Sequence, residues 1–325
     1  MKPDSRRSSF ILHLSSFIVT IPRAHDVRTH AESHSRIGVS LCDYATMRLG
    51  DWYRGWRRPG PLPPGGVEVE AGESLDVISG SYRIFQYERG HRYSTDDVLT
   101  AWYGTAHAAR VERAADLGSG IGSVALICAW RLPGATFCTV EAQEISIRLA
   151  RKTIRYNGLE SRFTLYHGDL RDPAILANEA PFDLVTGSPP YFPPGTATEP
   201  GHPQAVPARM EVRGGVEDYA SAAARILAPG GLFAFVFPTL QTDRALRALG
   251  DAKLALIRRR DIVFKLGEPP LITLFAASRR EDIPVQYNAF VEPPLTIRHR
   301  DRSTDPEYSA IRLSFGFPPG NVPPE

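Results

Sequence analysis

Cysteine and methionine are scarce in this 325-residue chain, and its charges nearly cancel. Three cysteines, Cys42, Cys128 and Cys138, form an odd set without metal-ligand spacing, which argues against a disulfide framework or a zinc site. Cys128 and Cys138 stand in apolar segments and are predicted to be small core residues. This pattern is typical of a reduced, cytoplasmic location. The net charge of +2 gives no sign of nucleic-acid binding through bulk charge.

Long apolar runs are also missing, and no segment is apolar enough over sufficient length to span a bilayer. The nearest, Phe10–Ile21, resembles a short secretory h-region, but it contains His13 and no clear cleavage pattern follows it. Residues 1–46 show no sustained periodicity. We therefore expect residues 1–46 to be a disordered arm outside the fold, and Met47 is a candidate for the true start of the protein.

Positive charge is concentrated in two short clusters. One combines arginines with tryptophans, and the other is a run of three arginines in a predicted strand. Each is either a nucleic-acid contact or an ordinary solvated face, and the sequence leaves both open. The clusters are Trp52, Arg54, Trp56, Arg57 and Arg58, and Arg258, Arg259 and Arg260.

A regular alternation of strand and helix patterns begins at Ser94. Predicted strands cover residues 111–117, 135–141, 162–169, 182–187, 232–238, 254–266 and 271–279. Predicted helices cover residues 96–110, 123–132, 145–158, 172–179, 216–227 and 240–249. Such alternation implies an α/β fold with a mostly parallel sheet, and the last two strands, which no helix separates, form an antiparallel pair. Residues 47–93 are expected to be an N-terminal extension, 94–280 the main domain and 281–325 a C-terminal tail.

A glycine-rich turn, Gly118-Ser119-Gly120-Ile121-Gly122, follows the first of these strands and opens a helix. Glycines let the backbone turn sharply and let a ligand approach, while the helix start presents free N–H groups. Glu141 ends the next strand, where a carboxylate can accept both hydroxyls of a ribose. Together these features predict a nucleoside-containing ligand.

The spacing of the glycines and the acid before them indicate which nucleoside-containing ligand is bound. Dinucleotide enzymes usually have G-x-G-x-x-G, whereas this turn is G-x-G-x-G with Asp116 ahead of it. An acid there suits a cationic amino-acid end better than a pyrophosphate, which indicates S-adenosyl-L-methionine. Asp169, after the third strand, either accepts from the adenine amine or caps the following turn.

Several segments together resemble the small-domain group of class I methyltransferases, and they are most similar to bacterial tRNA adenine-N6 methyltransferases. The resemblance covers about residues 85–280 and is carried by "GHRYSTDDVLTAW", "DLGSGIG", "VEAQEISIRLARKTIRYNG", "GDL", "FDLVTGSPPYF" and "ILAPGGLFAFVFP". It implies a Rossmann-like, seven-stranded sheet with helices on both faces and S-adenosyl-L-methionine over the strand ends. The cofactor-binding residues it implies are Tyr93, Thr95, Asp116, Gly118, Gly120, Gly122, Glu141, Asp169, Leu170 and Ser188.

The turn "SPPY", Ser188 to Tyr191, takes the place of the Asn-Pro-Pro-Tyr or Asp-Pro-Pro-Tyr motif of that family. By resemblance, Ser188 Oγ and the Pro189 carbonyl would accept hydrogen bonds from a target amine, and Tyr191 would stack on the base. Serine is shorter than asparagine and also donates. Serine is known here in cytosine-N4 DNA methyltransferases, so the substitution permits methyl transfer but leaves the target atom open.

The implied reaction is N-methylation of an exocyclic amine, most simply adenine N6 in tRNA or other RNA. The alternatives are a protein glutamine, a cytosine or adenine in DNA, or a cofactor-binding module without catalysis. Arg209 and Arg213, in the loop after the motif, are candidates for phosphate contacts and His202 for a base edge, against the alternative of solvated residues. His91 and Arg92 match a family segment near the cofactor. We expect no membrane partner, and a monomer.

Overall fold

The computed structural model describes residues 52–53, 55–61, 66–179, 181–196 and 201–321. The arm expected over residues 1–46 and Cys42 lie outside them. The strands are β1 (Trp52–Tyr53), β2 (Trp56–Arg57), β3 (Glu73–Val77), β4 (Arg83–Tyr87), β5 (Arg113–Leu117), β6 (Thr136–Glu141), β7 (Phe163–His167), β8 (Phe182–Gly187), β9 (Leu227–Pro238), β10 (Leu254–Val263), β11 (Ile272–Arg279) and β12 (Phe290–Thr296). The helices are α1 (Thr95–His107), α2 (Ser123–Arg131), α3 (Glu144–Tyr156), α4 (Ala205–Arg209), α5 (Val216–Ile226), α6 (Thr242–Asp251) and α7 (Pro306–Ser314).

The central sheet has the strand order β12-β10-β11-β9-β8-β5-β6-β7. Neighbours from β9 through β8, β5 and β6 to β7 are parallel, so these strands end at one edge of the sheet. Strand β11 lies between β9 and β10 and is antiparallel to both. The α/β fold with a mostly parallel sheet and an antiparallel last pair is therefore confirmed.

Helices cover both faces of the sheet, as predicted. Successive strand residues point to opposite faces, and the buried pair Ala114 and Ala115 on β5 accordingly belongs to two different core clusters. On one face the core includes Leu99 of α1 and Leu126 of α2. On the other it includes Ala220 of α5. Burial on both sides explains why the central strands are apolar without a break.

The hairpin of β3 and β4 fixes the N-terminal extension to α3. The Phe85 N–H donates to Thr153 Oγ1 at 3.0 Å, and the Arg83 N–H donates to Asn157 Oδ1 at 2.9 Å. Glu73, which is buried, accepts from Lys152 Nζ at 2.5 Å. These bonds hold the chain that leads into α1.

Residues 281–325, expected to be a tail, add a strand and a helix to the fold. Strand β12 pairs in parallel with β10 and brings the sheet to eight strands rather than seven. It contains Pro293 and Pro294, which an edge strand tolerates because one side needs no ladder donors. Helix α7 buries Tyr308 and Ile311, and Glu307 at its start accepts two hydrogen bonds from Arg260 at 2.6 and 2.8 Å.

The helix predicted for residues 172–179 is wrong, because the structure has successive turns there. Leu176 adopts a φ of 62°, a left-handed conformation that a right-handed helix cannot contain. Its side chain is buried nonetheless. Separate i→i−3 hydrogen bonds close these turns, such as the one from the Glu179 N–H to the Leu176 carbonyl at 2.9 Å.

Candidate active site

The glycine turn joins β5 to α2 at the carboxyl edge of the sheet. Gly118, Gly120 and Gly122 have φ angles of 60°, 56° and 82°, in the region that favours glycine. Gly122 is the residue before α2, and no side chain caps this helix end. The first N–H groups of α2 therefore point to the space above the sheet edge.

Tyr219 on α5 explains why the first of these residues is glycine. A Cβ added to Gly118 would overlap the Tyr219 hydroxyl, and one added to Gly187 would lie 2.8 Å from the Tyr219 ring. Tyr219 is itself buried. The ring thus packs where the ends of β5 and β8 run side by side.

Asp116 is a buried carboxyl near the end of β5. Its Oδ1 accepts from Thr186 Oγ1 on β8 at 2.7 Å, whereas its Oδ2 is shielded and has no partner among the described residues. Burial raises the pKa of Asp116 to about 7, and the Thr186 hydrogen bond opposes this only in part. A cationic ligand group would favour the ionised form.

Glu141, at the end of β6, is also buried and faces the glycine turn. Its Oε2 accepts from the Gly120 N–H at 2.8 Å, and its Oε1 accepts from the Gln143 N–H at 2.6 Å. Burial raises the pKa of Glu141, and these backbone hydrogen bonds oppose the change. The carboxylate is held rigidly, and each oxygen keeps a lone pair for further donors.

Asp169 follows β7 and forms a capped turn with Arg171. Its Oδ1 accepts from the Arg171 N–H at 2.9 Å, and the carboxylate pairs with the Arg171 guanidinium. This guanidinium lowers the pKa of Asp169. Asp169 therefore caps a turn, while it and Leu170 also line the cavity described below.

The "SPPY" turn continues β8 beside the glycine turn, because Asp116 is in register with Thr186 and Leu117 with Gly187. Ser188 is the first residue beyond the strand. Its Oγ is shielded from solvent and has no hydrogen-bond partner in the described structure. Such an unsatisfied hydroxyl is costly unless a ligand completes it.

Tyr191 is anchored at both ends. Its hydroxyl donates to Asp96 Oδ2 at 2.7 Å, and its ring packs edge-on against Phe237 with the centroids 6.2 Å apart. Burial raises the pKa of Tyr191 and that of Asp96, so the phenol stays protonated and donates. Gln241 Nε2 donates to the Tyr191 carbonyl at 2.8 Å. The hydroxyl, which the sequence gives no role, thus fixes the ring to α1.

These elements line a partly open cavity at the carboxyl edge of the sheet. Three of its lining residues carry buried polar atoms without partners in the described residues, namely Asp116 Oδ2, Ser119 Oγ and Ser188 Oγ. The predicted residues that line it are Asp116, Gly118, Gly120, Glu141, Asp169, Leu170 and Ser188.

Comparison with known proteins gives the family of this chain. Residues 103–205 match the family model of the methyltransferase small domain. The chain is 32% identical over 186 residues to a tRNA1(Val) (adenine(37)-N6)-methyltransferase of Aeromonas hydrophila, with 54% of this chain and 72% of that enzyme covered. The chain belongs to the methyltransferase small-domain family.

One further relative and one solved structure are also similar to the chain. Over 112 residues the chain is 33% identical to a ribosomal protein uL3 glutamine methyltransferase of Bradyrhizobium diazoefficiens, covering 34% of each chain. A predicted O-methyltransferase from Agrobacterium tumefaciens shares the fold, with a TM-score of 0.53, 19% identity and coverage of 69% of this chain and 98% of that one. The protein is thus a methyltransferase that uses S-adenosyl-L-methionine, as predicted.

The side chains that line the cavity have the hydrogen-bonding groups that this cofactor requires. The unpaired Asp116 Oδ2 is a buried acceptor for a cationic amino group, and Glu141 offers two fixed oxygens to hydroxyl donors. The open glycine turn leaves room for close approach, since a Cβ at Gly120 would meet nothing within 4 Å.

Two cavity residues, Asp97 and Gln204, are not among the site residues predicted from the sequence. Asp97, in the first turn of α1, accepts from Ser123 Oγ at 2.5 Å. Gln204 is buried, accepts from the His91 N–H at 3.0 Å and donates to Ser146 Oγ at 3.1 Å. It thereby ties the loop after "SPPY" over the cavity. The capping box of Ser94 and Asp97 was the signal available in the sequence for the first of these.

Five predicted site residues do not line the cofactor cavity, and Tyr191, whose contacts are given above, is one of them. Tyr93 and Thr95 line a second cavity beside α7, because the Tyr93 hydroxyl donates to the Val77 carbonyl at 2.8 Å and turns the ring away. Gly122 shapes the start of α2 without lining the cavity, and Pro190 rather than Pro189 lines it.

Some of the predicted arginine and histidine contacts line the cofactor cavity, and the others lie outside it. His91 and Arg213 line the cofactor cavity, whereas Arg92 lines the second cavity and pairs with Asp76 at 2.7 Å. Burial lowers the pKa of His91. His202 stacks obliquely against a tyrosine ring, and Arg209 is exposed.

The arginine run of β10 is largely used in ion pairs within the fold. Arg260 pairs with Glu307, and Arg258 lies 3.4 Å from Glu292. Arg54, from the other basic cluster, lies outside the described residues. In the described ranges, no group of three or more His, Cys, Asp or Glu side chains could hold a metal ion. None of the helices described has the length and apolar composition of a membrane span.

Proposed function

We propose that this enzyme methylates the exocyclic N6 amine of an adenine in tRNA or another RNA. The observation that carries the proposal is the buried, unpartnered Oγ of Ser188 on the wall of the cofactor cavity. A hydroxyl in that state offers its acceptor capacity to a group that enters from outside. The relative of Aeromonas hydrophila, named as a tRNA adenine-N6 methyltransferase, supports the choice of acceptor.

The chemistry of an exocyclic amine explains the residue types. Its lone pair is delocalised into the base, so the free amine is a weak nucleophile. Hydrogen bonds from the NH₂ group to Ser188 Oγ and the Pro189 carbonyl would pull the nitrogen toward a tetrahedral geometry. Two prolines lock the turn that carries both acceptors. Catalysis then rests mainly on positioning.

Tyr191 would support the base from its anchored position. A ring that stacks on a base contributes about 1–3 kcal/mol. The bond from its hydroxyl to Asp96 and the edge contact with Phe237 hold the ring in one orientation. We assign to Tyr191 the role of a base platform whose hydroxyl serves as the anchor.

S-adenosyl-L-methionine supplies an electrophilic methyl group on a sulfonium centre. Asp116 would hold its cationic amino-acid end, and Glu141 the ribose hydroxyls. Asp169 and Leu170 would border the adenine, with the Asp169 carboxylate kept ionised by Arg171. Gly118 and Gly120 would let the backbone approach the ligand.

Transfer of tritium from labelled S-adenosylmethionine to separated tRNA, rRNA, DNA and protein fractions tests the proposal. We expect label in RNA, most of it in tRNA, and N6-methyladenosine after digestion to nucleosides. Asp116→Asn serves as the control that should remove transfer from every fraction. Label in protein glutamine or in DNA would contradict the RNA substrate, and cofactor binding without any transfer would leave a binding module.

A further inference from the structure

A basic groove runs across the C-terminal segment. It consists of three adjoining depressions: the first and second share Thr95, Tyr308 and Arg312, and the second and third share Arg298 and Arg302. We name it the C-terminal groove. It passes from the start of α1 over α7 to the end of β10.

Three arginines of this groove are not neutralised. Arg298, Arg300 and Arg302 are exposed, and no carboxylate of the described chain lies within ion-pair distance of them. By contrast, Arg258 and Arg260 of β10 form ion pairs with Glu292 and Glu307. Lys265, also in the groove, has a single exposed partner, Glu268, at 3.5 Å. Positive charge therefore remains available along the groove.

A rigid turn presents these arginines. The backbones of Arg298 and Thr304 form an antiparallel β-bridge, and the His299 N–H donates to the Ser303 carbonyl at 2.9 Å. Asp301, the exposed acid within the run, accepts from the Ser303 N–H at 2.9 Å and from the Ser303 hydroxyl at 2.6 Å. Arg302 has a φ of 70°, an uncommon conformation for a residue with a side chain. Strain of this kind is found where side chains are held for a function.

The residue types of the groove suit nucleic acid. Guanidinium groups match phosphate oxygens with paired donors. Phe264 lines the same depression as Lys265 and Arg300, so a ring stands among the cations. Positive side chains interleaved with an aromatic face are typical of RNA and single-strand sites, where bases stack and phosphates pair.

The groove also adjoins the catalytic cavity through one strip of chain. His91 and Asp97 line the cofactor cavity, while Tyr93 and Thr95, between them in sequence, line the groove. The strip is therefore a common wall. We propose that the C-terminal groove binds the phosphate backbone of the RNA substrate while the target base enters beside Ser188. This inference rests on the proposed RNA substrate and adds the surface that holds it.

The test compares the wild type, the groove variant R298Q/R300Q/R302Q and the matched control R155Q/R247Q/R280Q. The control removes the same charge from exposed arginines on other elements. Fluorescence anisotropy with labelled bulk tRNA and with duplex DNA gives Kd between 50 and about 200 mM salt. Calorimetry gives the affinity for S-adenosylmethionine, which should be equal in all three proteins and also verifies folding.

We expect the groove variant to bind tRNA about ten- to a hundredfold more weakly at low salt, with a log Kd–log salt slope smaller by about 2–3. The control variant should match the wild type. Wild-type binding of tRNA that the groove substitutions leave unchanged would overturn the groove while the RNA substrate stands. No tRNA binding by the wild type would overturn both. If the groove substitutions weakened binding of duplex DNA but not of tRNA, the proposal would also be overturned.

Discussion

Asp116 is a carboxyl whose charge depends on what binds beside it. Its pKa, raised to about 7 by burial, lies far above the usual value, so without a ligand it is protonated below pH 7. A cationic group binds the ionised form. We therefore expect the affinity for S-adenosylmethionine to fall as the pH is lowered from 7 to 5.5, by up to about tenfold per unit.

Calorimetry across this pH range measures the effect, with circular dichroism to verify folding. Asp116→Asn cannot titrate, so it should bind weakly and lose this pH dependence. Parallel pH profiles for the two proteins would show that Asp116 does not contact the cofactor.

Glu141 serves both the ligand and the turn. Glu141→Ala should weaken S-adenosylmethionine binding by about 1.5–3 kcal/mol, the value of one charge-assisted hydrogen bond. Loss of its bonds to the Gly120 and Gln143 N–H groups should add to the effect by loosening the glycine turn. Calorimetry on the folded variant is the measurement. An unchanged Kd would remove Glu141 from the cofactor site.

At the scale of residues, the sequence predicts the site residues whose place follows from their position in a strand or turn. Asp116, the glycines and Glu141 stand at strand ends, and parallel strands bring their ends together. Tyr93 and Thr95 line the second cavity rather than the cofactor cavity, because a motif gives proximity along the chain but not the direction of a side chain. Gln204 was missed because its partners, His91 and Ser146, are far from it in sequence.

At the scale of elements, the glycine turn depends on a helix distant in sequence. Gly118→Ala should destabilise the protein by about 1–3 kcal/mol more than Gly120→Ala. Both positions have positive φ, but only at Gly118 would the new Cβ overlap Tyr219. Urea unfolding of both variants isolates the overlap, since the backbone cost is common to the pair. Equal losses would show that Tyr219 does not restrict the turn.

The alternation of strands and helices was predictable because each buried strand and each amphipathic helix carries its own periodicity. Strand β12 was not, because Pro293 and Pro294 interrupt the pattern and most of its residues are exposed at the sheet edge. Its place is set by pairing with β10, a contact that the local sequence does not encode. The segment around Leu176 has the composition of a helix. It forms turns instead, because the buried Leu176 adopts a positive φ that a right-handed helix cannot contain.

At the scale of the whole molecule, the C-terminal segment should be required for folding. A chain that ends at Arg280 would lose buried groups that each contribute about 1.5–3 kcal/mol, together comparable to a total stability of about 5–15 kcal/mol. They are Leu295, Ile297, Tyr308, Ile311, Phe315 and Phe317. We expect loss of cooperative thermal unfolding, measured by circular dichroism.

The matched control is a chain that starts at Met47. Residues 1–46 show no amphipathic pattern, and we predict that their removal leaves Tm unchanged. A chain ending at Arg280 that melts cooperatively within a few degrees of the full chain would contradict the requirement for the C-terminal segment. The cytoplasmic location and the monomeric state remain predictions from the sequence.

The central claim is that the "SPPY" turn holds the methyl acceptor, and the rate of methyl transfer by Ser188→Ala tests it most directly. The matched control is Ser119→Ala, which removes an equally buried and unpartnered hydroxyl from the glycine turn of the same cavity. With both cofactor and RNA saturating, transfer by the control should stay within a few-fold of the wild type.

We predict that Ser188→Ala binds S-adenosylmethionine with unchanged Kd and transfers methyl groups about 10²–10³-fold more slowly, the loss typical of one positioned hydrogen-bond partner. Full transfer activity by Ser188→Ala on the true substrate would contradict the account.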